Sequence, residues 1–98
     1  MKDDDLHAAT KAALASIIST ILAHTSIAAT HISVTTRVIR LVGLITRSQN
    51  LGTRRKNHIH DHLECLHDSL KLINWGRRPD ERFYPAGQIR LSALISGV

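Results

Sequence analysis

Arginine and histidine are the residues of this chain best placed to do chemistry. Residues 6–60 hold Lys11, Arg37, Arg40, Arg47, Arg54, Arg55 and Lys56 and no aspartate or glutamate. A guanidinium group binds a phosphate through paired hydrogen bonds, and a long interval of one sign sets up a field that attracts polyanions. The excess extends to the whole chain, with a formal net charge of +5 and a pI near 10.2. Nucleic acid is the expected partner for such a field, and an anionic membrane surface ranks second. The bland alternative is that surplus arginine only keeps the protein soluble.

Four of the seven histidines stand between His58 and His67. His58, His62 and Cys65 are spaced i, i+4, i+7, and His60, Glu64 and His67 repeat that spacing, so each set shares a helical face. Either set resembles part of a zinc site, but spacing places no fourth ligand, and overlapping triads arise in any histidine-rich helix. The expectation is therefore no metal and no cofactor. A further reading is that these imidazoles gain charge below neutrality and tighten anion binding. No phosphate-cradling glycine loop, nucleophile motif or placed carboxylate pair is present, so the chain is not expected to be an enzyme, and no small-molecule substrate is evident.

The elements that must position these groups follow from periodicity. With 98 residues, 43% of them hydrophobic, one domain (1–98) with an aliphatic core is expected. Trp75, Phe83 and Tyr84 are the only aromatic residues. Cys65 is the only cysteine, which excludes an internal disulfide and fits a reducing, intracellular setting, cytoplasmic or nuclear. The charged start, with Asp3, Asp4 and Asp5 after Lys2, predicts no secretory leader. The soft run from Ala12 to Ala29 is interrupted by Ser, Thr and His, so a buried amphipathic helix is preferred to a membrane span.

Leu14, Ile17, Ile18, Ile21 and Leu22 predict a first helix over 5–24, opened by acids at its positive dipole end. Val34, Val38, Leu41, Val42 and Ile45 predict a helix over 33–48, although its β-branched start also suits a strand. Asn50 to Thr53 is a turn signal, with Gly52 free to take positive φ and Thr53 able to cap. Ile59, Leu63, Leu66 and Leu70 predict the core face of a helix over 54–70, a seam with 4, 3, 4 spacing. Beyond it, two prolines, two glycines and the alternating Ile89 and Leu91 predict a turn and a short strand within 71–91.

This order of helix, Leu51-Gly52-Thr53 turn, helix with His62-Leu63-x-x-Leu66, Leu72-Ile73, then a basic Pro-Asp turn resembles the winged helix-turn-helix of MarR- and ArsR-type transcription regulators. The resemblance covers residues 44–91. It implies a mostly α fold with a small C-terminal β-hairpin wing, acting as a DNA-binding dimer. Arg54, Arg55, Lys56, Asn57 and His58 would stand at base edges in the major groove. Arg77, Arg78 and Arg82 on the wing, with Arg37, Arg40 and Arg47, would hold phosphates. The first helix, through Leu14, Ile17, Ile18 and Ile21, would carry the dimer contact. DNA is thus placed ahead of RNA.

The alternative fold is an all-α helical bundle, also dimeric. Its basic face would lie across double-stranded RNA, as in small viral suppressors of RNA silencing. A structural or adaptor protein using the Ile59–Ile73 seam is a third reading, and a membrane-associated protein a fourth.

Overall fold

The computed structural model describes residues 3–47 and 53–97, with the side chains of all of these except 3, 4, 28 and 53–55. Every regular element among them is helical: α1 (Asp3–Ala23), α2 (Thr25–Thr30), α3 (Ile32–Thr46), α4 (Thr53–Ile73) and α5 (Pro85–Gly97), with one 3₁₀ turn at Pro79–Glu81. The turn expected at residues 50–52 lies outside the described residues.

α1 forms because Leu6, Thr10, Ala13, Leu14 and Ile17 recur at steps of three and four, and all five are buried. The soft run then breaks twice, at His24 and His31, whose backbones leave helical geometry. Thr20, Thr30 and Thr35 each return a hydroxyl bond to a carbonyl three or four residues back, the habit that makes threonine a poor helix interior. α3 buries Val34, Val38, Leu41 and Ile45, so the helical spacing outweighs the β-branched start. α4 buries Ile59, Leu63, Leu66 and Leu70 as its spacing predicts.

The four long helices form an up-down-up-down ring in which each lies against two neighbours: α1 against α3 and α5, and α4 against α3 and α5. The His7 Nε2 proton is donated to the Ile45 carbonyl at 3.0 Å, tying the start of α1 to the end of α3. Hydrogen bonds of Asn74 to Gln88 and of His67 to Ser92 run α5 back along α4. A single aliphatic core results, each fully buried Leu or Ile contributing about 1.5–3 kcal/mol.

The β-hairpin wing expected over 71–91 is corrected by this fold. α4 runs on to Ile73, and Gly76 closes the turn with a positive φ of 72°. Pro85 then opens α5, where a missing N–H costs nothing. Ile89 is exposed and Leu91 buried, but as helical neighbours: Gly87, Leu91 and Leu94 form the inward stripe. No strand occurs among the described residues, so the winged-helix architecture gives way to the all-α bundle. The α1 residues expected at a dimer contact are at least partly taken up within the chain. Leu14 and Ile17 are buried and Ile18 and Ile21 partly so, against α3 and α5.

Asn74 anchors the corner between α4 and α5. Its side-chain oxygen accepts from the Phe83 N–H at 2.7 Å, while its amide donates to the Phe83 carbonyl at 2.9 Å and to Gln88 at 3.1 Å. That grip holds Tyr84 at φ 54°, a left-handed conformation uncommon outside glycine, with its ring buried and its hydroxyl 3.0 Å from His31 Nδ1. Trp75 is exposed, whereas Phe83 is half-buried.

Candidate nucleic-acid interface

Antiparallel packing of α3 on α4 brings two separate stretches of the basic interval together. Arg37, Arg40 and Arg47 lie within about 80° of one another around α3, on the side turned toward α4. On α4, His58 and His62 are one turn apart with ring centroids 4.8 Å from each other, edge to face. Between the helices runs an open groove of about 600 Å³ lined by Ile39, Arg40, Gly43, Leu44, Arg47, His58 and His62. Arg40, Arg47 and His58 are exposed on it.

Arg37 sits deeper and donates from Nη1 to His62 Nδ1 at 2.9 Å. Accepting that bond requires His62 to be deprotonated at Nδ1, which is the neutral ring. Burial holds its pKa below the ordinary value, and the neighbouring His58, Arg37 and Arg40 act in the same direction, against Asp61. The groove therefore favours the neutral form of His62, through burial first and the positive charge around it second.

Beyond Arg37 the seam continues past Ser33, Thr36, Cys65, Asp68 and Ser69. Asp68 is an acid at that end, so the one-signed part of the groove is the half containing Arg40, Arg47, His58 and His62. Glu64 and Asp61 lie on the outer face of α4.

The remaining expected contacts are scattered. The side chains of Arg54 and Arg55 lie outside the described residues; their backbone belongs to the first turn of α4. Lys56 is about 200° around α4 from His58, and Asn57 is on the outer face, so Lys56, Asn57 and His58 do not share one face of the helix. Arg77, Arg78 and Arg82 sit at the α4–α5 corner, beyond the C-terminal end of α4 and not on a hairpin. Arg77 covers the Phe83 ring at 4.7 Å, and its Nε donates to the Ile73 carbonyl. Arg82 Nε donates to the Arg77 carbonyl at 3.4 Å.

The two histidine triads fare differently. Cys65 is exposed on the seam beyond His62. His67 is hydrogen-bonded to Ser92, whereas His60, Asp61 and Glu64 bring donor atoms within 4.8 Å of one another on the solvent side of α4. Exposed carboxylates gather this way without a metal, and nothing further marks the cluster as a site. The sequence places His62 in a ligand triad, in the His62-Leu63-x-x-Leu66 pattern and among imidazoles that could aid anion binding, but not beside Arg37. Its partnership with Arg37 spans 25 residues, and no local pattern carries it.

No protein-family model, curated protein sequence or solved structure matches this chain. The chemistry of the groove therefore carries the functional argument.

Proposed function

We propose that this chain binds the sugar–phosphate backbone of double-stranded RNA along the α3–α4 groove, without reading base sequence. The observation that carries this reading is the convergence of Arg37, Arg40 and Arg47 from α3 with His58 and His62 from α4. Arg37 to Arg47 spans ten residues of helix, about 15 Å, the length of several nucleotide steps along a strand. Guanidinium groups spread over that length can contact separate phosphates of one strand, releasing counterions as they do. Duplex RNA is preferred to DNA because its major groove is too narrow for side chains to read, so it is recognised through phosphates and 2′-hydroxyls. With the wing gone, the chain lacks the element that favoured DNA.

The test is anisotropy of labelled RNA and DNA duplexes across a salt series. Binding to RNA should weaken steeply as salt rises. Replacing Arg40 and Arg47 together by glutamine should make the log–log salt slope shallower by about two and weaken low-salt binding by roughly tenfold or more. Wild-type affinity and slope in that double variant would move the site elsewhere. An absence of binding to either duplex at low salt would end the nucleic-acid reading, and equal affinity for DNA would remove the preference for RNA.

A further inference from the structure

The other flank of α3 has a different character. Where α3 meets α1, Ile18, Ile21, Leu22, Ile39 and Val42 line a shallow apolar groove that continues past Lys11 toward Thr46. Several of these side chains reach solvent: Leu22 is 72% exposed, Ile39 66% and Val42 37%, with Ile32 on the same side of α3 at 67%. Single exposed apolar residues are ordinary, but a contiguous strip of them marks an interaction surface.

The border of the strip is cationic. Lys11 lines the strip, Arg40 and Arg47 stand across the exposed ridge of α3 from it and share the neighbouring groove with Ile39, α3 contains no carboxylate, and α1 has none after Asp5. A second copy of this chain is a poor match. Isologous pairing sets a patch against itself, so this cationic surface would face another of the same sign, with no carboxylate in α3 or in α1 after Asp5 to neutralise it. An anionic bilayer supplies what both parts of the surface lack, negative headgroups for the border and an acyl boundary for the strip.

We propose that the α1–α3 face docks on the surface of an anionic lipid bilayer, with Leu22, Ile39 and Val42 entering the acyl boundary and Lys11, Arg40 and Arg47 meeting headgroup phosphates. α1 is long and apolar enough to cross a membrane by length and composition. Its Leu6, Leu14 and Ile17 are committed to the core, however, so the mode is docking and not spanning. Ile39 lines both the apolar strip and the basic groove that holds Arg40 and Arg47, so bilayer and duplex RNA would compete for the exposed ridge of α3.

Flotation of the full chain with phosphatidylcholine vesicles, with and without about one third phosphatidylserine, tests this. The chain should float with the anionic vesicles and not with the neutral ones. Leu22→Asp and Ile39→Asp should each lower partitioning by roughly tenfold or more, since each removes an inserting side chain and adds a repelled charge. Both positions are exposed, and far-UV circular dichroism should show unchanged helicity. The proposal is overturned by absence of binding to anionic vesicles, by equal binding to neutral ones, or by both aspartate variants floating like the wild type. A dimer seen in sedimentation and lost in Ile39→Asp, without vesicle binding, would assign the face to a second copy and overturn it equally. The RNA reading stands or falls separately, because Leu22→Asp leaves the α3–α4 groove intact and should keep RNA affinity.

Discussion

Replacing Gly43 by alanine adds a methyl group at a point on α3 where nothing among the described residues lies within 4 Å of the new carbon. Alanine is favoured over glycine in a helix by about 0.8–1 kcal/mol, mostly because glycine has more unfolded-chain freedom to lose. With no steric cost to offset that gain, Gly43→Ala should stabilise the bundle by about 0.5–1 kcal/mol. The same substitution at Gly87 meets a different environment. There the new carbon would stand 2.5 Å from Ile17 Cγ1 and 3.2 Å from its Cδ1, and Ile17 is fully buried between α1 and α5. Ile17 cannot swing clear without disturbing the core, and overpacking of this kind costs about 1–3 kcal/mol. Gly87 also lies in the first turn of α5, where the propensity gain is smaller, so Gly87→Ala should destabilise by about 1–2 kcal/mol. Urea unfolding followed by far-UV circular dichroism separates the two, with unchanged m-values confirming that stability alone has moved. For a chain of this length 1 kcal/mol corresponds to about 4–8 °C in Tm, so thermal scans should show the shifts with opposite signs. If Gly87→Ala stabilises as Gly43→Ala does, Ile17 does not face Gly87 and the docking of α1 on α5 is wrong.

Other outcomes follow from single contacts. Asn74→Ala removes the partner of both backbone groups of Phe83 and should cost about 2–4 kcal/mol, read as a lower urea midpoint, with Asn74→Asp recovering only the oxygen's bond to the Phe83 N–H. His31 and His62 both have pKa values held below 6.5, His31 by burial and then Arg77, His62 by burial and then His58, Arg37 and Arg40. The unfolded chain therefore binds more protons just below that value, so stability is fully present above about pH 6.5 and declines as pH falls. Urea midpoints taken at about pH 7.5 and about pH 5.5 should show that decline, and His62→Gln should reduce it; a midpoint that rises on acidification contradicts the sign. The glutamine variants of Arg40 and Arg47 test the groove, as described above.

Much of the helical framework was readable in the sequence, because α3 and α4 each have a marked amphipathic period. Ile59, Leu63, Leu66 and Leu70 announce α4, and Val34, Val38, Leu41 and Ile45 announce α3 against a β-branched background. The C-terminal helix was not readable, for a local reason. Residues 85–91 open with proline, contain glycine and alternate Ile89 with Leu91, all of which are strand or turn signals within so short a window. The inward stripe of α5 uses Gly87 as one of its positions, and glycine counts as a break until the Ile17 side chain it admits is known. Arginine content made the basic interval legible, but its assembly was not. Arg37, Arg40 and Arg47 acquire His58 and His62 as neighbours only through antiparallel packing, whereas Lys56, two residues from His58, is carried to the far side of α4 by the helical twist.

The ring of helices also has a consequence for how the chain reaches its folded state. Three of its four seams join helices that follow one another in sequence, and only the α1–α5 seam unites the two ends of the chain. Hairpins of neighbouring helices close short loops and form early, while the last seam must bring together segments separated by most of the chain length. Ile17 and Gly87 belong to that late step. Where that seam closes after the transition state, a defect at the Ile17–Gly87 contact should raise the unfolding rate and leave the folding rate nearly unchanged, as the two arms of a chevron would show.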